Sequence, residues 1–252
     1  MNAGGQTEAV IAPAPAVPIV ALDMRTGAEA LTLARRLGDS CRFYKVGSEL
    51  FTAEGPAVVR ALRDELGADV FLDLKFHDIP NTVAGAVRSA VALGVRLLTV
   101  HASGGRQMLD VAQRAADGSA CGVLAVTVLT SLDATTLSEN WGRESAVDVQ
   151  HEVLRLAELA ATAGVHGIVC SGAEAALVRA RFGDRLAMLV PGIRFADGDV
   201  HDQQRVMTPA AAQAAGARYL ILGRAVTAAP DPMAAMDRVR AELGVAARER
   251  VS

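Results

Sequence analysis

Short apolar runs alternate along the chain with longer stretches whose apolar residues recur every three to four positions, from residue 18 to residue 243. The runs are PIVAL at 18–22, FYKV at 43–46, VFLDL at 70–74, LLTV at 97–100, VLAVTV at 123–128, GIVC at 167–170, LAMLV at 186–190 and YLIL at 219–222. Such β-branched, two-sided apolar runs fit strands of a parallel sheet covered by helices. Helical spacing follows each run, at 27–37, 56–66, 82–93, 106–116, 147–163, 173–182, 209–215 and 231–243. Pro56 suits a first helical turn, where its missing N–H costs nothing. Both a doubly wound sheet and a closed barrel show this rhythm. Eight units without an intervening linker favour an α/β fold of the (β/α)8 TIM-barrel type, one domain over residues 18–252. Residues 1–17, rich in Ala and Pro, read as a flexible tail.

The composition narrows the partners. The chain has 252 residues, about the length of one barrel. It is 51% hydrophobic and 21% charged, which suits a sizeable core rather than a disordered chain. A net charge of −3 with 4% aromatic residues argues against holding nucleic acid by phosphate neutralisation or base stacking. No uncharged apolar stretch reaches the 18 or so residues of a membrane helix, and the N-terminus lacks the pattern of a secretory signal. Cys41, Cys121 and Cys170 are too scattered for a disulfide scaffold or a thiolate zinc site, and read as small core residues. Together these features predict a cytoplasmic protein.

Polar residues end the strand-like runs: Asp23 after the first, Lys45 within the second, Asp73 and Lys75 in the third with Asp78 beyond. His101, Thr130 with Ser131, Arg194 and Arg224 follow the fourth, fifth, seventh and eighth. A barrel interior tolerates unpaired charge poorly, so these groups belong at the mouth, on the face where such barrels place active sites. Asp73 and Lys75, two apart on a strand, should leave the same face about 6–7 Å apart. With Lys45 from the neighbouring strand they form an alternating array, either functional or an ion-pair network satisfying itself. Gly223-Arg224 after the eighth strand, with Arg194 and Gln203 from the seventh loop, suits an anion, because loops seven and eight of barrels commonly hold phosphate. A plain turn with a surface arginine is the alternative. Two connections are long, 130–146 and 191–208, as lids and binding loops often are. His77 reads as positioning or structural, and Trp141 as a packing anchor. The remaining histidines form no H-x3-H pair, so a histidine metal site is not expected.

The segment DLKFHDIPNT from Asp73 to Thr82, with Asp23, Lys45, PGIR at 191–194 and LGR at 222–224, resembles the orotidine 5′-phosphate decarboxylase family over residues 18–243. The D-x-K-x-x-D core is shared with metal-dependent sugar-phosphate decarboxylases and lyases of the same superfamily, whereas IPNT and PGIR point to the orotidylate branch. The resemblance implies conversion of orotidine 5′-monophosphate to UMP and CO2, without metal or organic cofactor, in pyrimidine synthesis de novo. It implies Lys75 as proton donor to C6 and Asp73 beside the departing carboxylate, with Lys45 and Asp78 completing the array. It further implies that Asp23 holds ribose hydroxyls, and that Ser131 with Thr130 reads the pyrimidine. Arg194, Gln203, Gly223 and Arg224 would hold the 5′-phosphate beneath a seventh-loop lid. Val190, Pro191 and Ile193 would form an apolar wall for CO2. Asp78 and Thr82 would reach the neighbouring subunit's site in a homodimer. A non-catalytic nucleotide-binding barrel is the alternative of a different class.

Overall fold

Eight parallel strands pair in chain order, and the last closes on the first. They are β1 Val17–Ala21, β2 Phe43–Gly47, β3 Asp69–Phe76, β4 Leu97–His101, β5 Gly122–Val126, β6 Gly167–Val169, β7 Ala187–Val190 and β8 Tyr219–Leu222. The computed structural model describes residues 14–197 and 207–245. The barrel starts one residue before the expected boundary, because Val17 already pairs with Tyr219, while Ala16 is buried and donates its N–H to Gln213.

Side-chain alternation divides the apolar residues into two cores. Ile19, Phe43, Phe71, Leu97, Leu124, Leu189 and Ile221 point inward and fill the barrel. Their strand neighbours, among them Val20, Tyr44, Val70, Leu98, Val123, Ile168, Met188 and Leu220, point outward beneath the helices. Val190 and Ile193 belong to this outer core. They therefore do not form the inner apolar wall expected of them; Leu189 faces inward in their place, one residue out of phase with Val190.

The main helices fall where the spacing predicts, with caps that fix their starts. Asp148 accepts from the amides of Gln150 and His151, Thr208 from Ala211, and Asp231 from Met233 and Ala234. Among the described residues three short α-helices go beyond the expectation: Ser48–Glu54, Ala134–Asn140 and Arg224–Thr227. The second lies inside the long fifth connection, started by Asp133 accepting from the amide of Thr136. Trp141, expected as a packing anchor, follows that helix as its C-cap and is 41% exposed. The three cysteines are free and buried as expected, and burial pushes their thiols up to about 11 for Cys41 and Cys121 and about 12 for Cys170. Among the described residues no helix is long and apolar enough to cross a membrane.

Leu124 is fully buried inside the barrel. Its replacement by Ala should cost about 2–5 kcal/mol through lost contact and a residual cavity. Equilibrium urea unfolding checks this; a loss below about 1 kcal/mol contradicts the inner-core placement.

Candidate active site

The inward register that fills the barrel also builds the site. One step above Phe43 comes Lys45, above Phe71 comes Asp73, above Leu97 comes Thr99, and above Ile221 comes Gly223. Two steps above Ile19 comes Asp23. The same inward positions are thus apolar at the lower level and polar at the mouth, where charge can face a ligand.

Asp73 is the hub. The Lys75 ammonium donates to both of its oxygens at 2.9 Å, and Lys45 Nζ stands 3.9 Å from Oδ2 on its other side. Lys45 itself donates to Asp23 Oδ1 at 2.6 Å. The alternating array is therefore present, running Asp23, Lys45, Asp73, Lys75. Lys45 is nearly buried and Asp73 mostly so, while the Asp23 carboxylate opens to solvent.

Plain strand alternation does not explain how Lys75 reaches Asp73. The pairing of β3 with β4 shifts between Leu72↔Leu98 and Phe76↔Val100, four residues against two. Within this bulge Lys75 takes φ +51°, and no other non-glycine among the described residues has a positive φ. That conformation is costly for a residue with a side chain. It swings the ammonium back onto the carboxylate. Thr99, absent from the sequence-based candidates, accepts from the Lys75 N–H and donates to Asp73 Oδ1, both at 2.9 Å. Its signal was available: a hydroxyl in an apolar strand, in inward phase with Leu97.

A cavity of about 310 Å³ opens above this array, at the lower end of the usual size range for small-ligand sites. Asp23, Lys45, Asp73, Lys75, Thr130, Arg194, Gly223 and Arg224 line it, with apolar cover from Phe71, Val126, Val128, Leu189, Pro191 and Ile221. Of the expected wall residues, Pro191 alone lines the cavity. A Cβ at Gly223 would meet no atom within 4 Å, so that position leaves space beside the cavity. Arg194 is buried, and its backbone N–H bonds Met207 O at 2.9 Å, beside a bridge from Ile193 to Met207 that ties the two ends of the seventh loop. Gln203 lies outside the described residues.

Three candidates stand apart from the cavity of this chain. Asp78 is exposed and accepts from the Ile79 N–H, Thr82 is exposed on the helix Pro80–Ala92, and Ser131 is exposed in the turn before Asp133. Ile79, between the first two, is 67% exposed. His101 ends β4 with its ring 5.2 Å from that of His77. Burial, then the neighbouring His77 and Lys75, hold its pKa below the ordinary histidine value.

Comparison with known proteins fits this arrangement. Residues 17–239 match the family described as orotidine 5′-phosphate decarboxylase / HUMPS. An orotidine 5′-phosphate decarboxylase of Halorhodospira halophila is 49% identical over 237 residues, covering 93% of this chain and 98% of the relative. One of Alkalilimnicola ehrlichii is 52% identical over 227 residues, covering 89% and 95%. The crystal structure of orotidine 5′-phosphate decarboxylase from Lactobacillus acidophilus superposes with a TM-score of 0.80 at 35% identity, covering 92% of this chain and all of that one.

Gly47 provides a test of the array. A Cβ there would stand 3.0 Å from Lys45 Nζ and 3.3 Å from Asp23 Oδ1. Gly47→Ala should therefore displace the Lys45 ammonium by a few tenths of an ångström, and a crystal structure of the variant reads the shift; a Lys45 Nζ left in place would contradict this packing.

Proposed function

The chain belongs to the orotidine 5′-phosphate decarboxylase / HUMPS family, and from that premise we propose that it decarboxylates orotidine 5′-monophosphate to UMP and CO2 in pyrimidine nucleotide synthesis. The observation that carries this reading is the array itself: Lys75 held on Asp73 at the floor of a cavity whose other lining includes Arg194, Gly223 and Arg224.

In the proposed reaction the bond from C6 to the carboxylate breaks and its electron pair stays on C6. CO2 leaves, and a proton from Lys75 Nζ closes the valence at C6. The amine left behind regains its proton from solvent. An sp² carbanion has no resonance sink in the ring plane, so fixed charge must stabilise it. Groups already oriented in a partly dry site do this without reorganising during the reaction. Lys75 is so oriented by two bonds to one carboxylate. Asp73 lies beside the departing CO2 and positions Lys75, Lys45 with Asp23 meets the ribose hydroxyls, and Thr130 with Ser131 meets the pyrimidine edge. Arg194, Arg224, Gln203 and the open space at Gly223 receive the 5′-phosphate, whose binding energy is then usable at the transition state.

The cofactor-free reading is supported by the donor set. Asp23 and Asp73 already bind lysine ammonium groups, so a divalent cation would have to displace Lys45 and Lys75 to reach them. The homodimer is supported by the exposed segment carrying Asp78, Ile79 and Thr82, an apolar side chain flanked by two polar ones that have no place in the cavity of their own chain. In this reading they complete the partner subunit's site.

The fall in orotidylate absorbance should proceed unchanged in EDTA; activity that requires added Mg²⁺ would favour sugar-phosphate chemistry instead. Lys75→Ala should lower kcat by at least about 10²–10⁴-fold while changing UMP affinity far less, and near-normal turnover would sink the proton-donor role. Mixing Lys75→Ala with Asp78→Asn should restore activity. Each hybrid dimer has one intact site, so random exchange regains about a quarter of the wild-type value. No recovery despite demonstrated exchange would refute shared sites.

A further inference from the structure

We propose that Thr99 is a positioning residue for the reaction, fixing the Lys75 backbone and the Asp73 carboxylate at once through a single hydroxyl. The proposal rests on the reading of Lys75 as the proton donor.

The need for such a residue follows from the bulge. Between the pairs Leu72↔Leu98 and Phe76↔Val100, β3 spends three residues where β4 spends one, Thr99. A bulge leaves backbone groups without their ladder partners, and a buried amide needs an acceptor. The Lys75 N–H finds it in Thr99 Oγ1 at 2.9 Å. Thr99 is wholly buried, so water cannot take over this role.

The hydroxyl has one proton, and its direction is set by its neighbours. Toward the Lys75 amide it must accept. Toward Asp73 Oδ1, a carboxylate oxygen that also accepts from Lys75 Nζ, it must donate. The bonds close a ring: Lys75 amide to Thr99, Thr99 to Asp73, Asp73 to the Lys75 ammonium. The side chain of Lys75 is thus held at both ends by groups anchored to Thr99. Without the ring, the positive φ of Lys75 loses its restraint, and both the proton donor and its carboxylate can drift. Displacements of this order cost rate more than binding, because the reacting atoms must meet in one geometry. Valine keeps the shape of threonine but can neither accept nor donate, whereas serine can do both.

The experiment compares Thr99→Val and Thr99→Ser with wild type. Thr99→Val should lower kcat about 10- to 100-fold, the effect of one charge-assisted hydrogen bond, with KM and UMP affinity within about threefold. Thr99→Ser should restore kcat to within about threefold of wild type. Full kcat in Thr99→Val overturns the proposal. So does a parallel loss of kcat, UMP affinity and melting temperature that serine does not rescue, since that marks a purely structural residue. An inactive wild type would overturn the decarboxylase reading separately. A crystal structure of Thr99→Val then still decides the geometric claim: Lys75 relaxing to negative φ supports it, and unchanged φ with Nζ still on Asp73 overturns it.

Discussion

A carboxylate between two ammonium groups governs the upper half of the barrel. Asp73 is mostly removed from water, a placement that is expensive for an isolated charge and tolerable only with partners on both sides. Lys75 bonds it from one direction, Lys45 approaches from the other, and Asp23 balances Lys45. Opposite charges at such separations attract and like charges repel, the more so where water is partly excluded. Alternation of sign is therefore the arrangement that lets four charges share one small mouth. Asp23, Lys45 and Asp73 come from the inward register of β1, β2 and β3 or the loop directly above it, and the bulge in β3 adds Lys75.

The same inward register explains how the molecule separates stability from chemistry. Below, it presents Phe43, Phe71, Leu97 and Leu124 to one another, a packed interior that leaves no place for substrate. Above, it presents groups that have something to gain from a ligand. The phosphate end of the proposed site lies on loops seven and eight and the charged array on strands one to three; because β8 pairs with β1, the two adjoin along one arc of the barrel mouth.

Much of this was legible in the residues, because the relevant signals are periodic or local. Eight apolar runs marked the eight strands, and polar strand ends marked the mouth. Strand boundaries moved by a residue or two where pairing continues past the apolar run, as β3 does through Lys75 and Phe76. The less legible parts depend on departures from regularity. Counting two residues from Asp73 to Lys75 brought the pair together for the wrong reason, since the strand bulges between them. Thr99 was hidden by its apolar neighbours, although counting from Leu97 would have turned it inward. Val190 and Ile193 were expected at the cavity from the family resemblance, and the alternation of β7 turns Val190 outward. Asp78, Thr82 and Ser131 lie apart from the cavity because one chain does not supply their surroundings in the proposed dimer, or because a turn points them to solvent.

The positive φ at Lys75 also bears on how such a chain can change over generations. Glycine is the residue that backbone energetics alone would select at that point of the bulge. Accepting it would leave the mostly buried Asp73 without the ammonium that bonds both of its oxygens. Backbone ease and charge compensation thus pull in opposite directions at one position, and the residue found there records which of the two has prevailed.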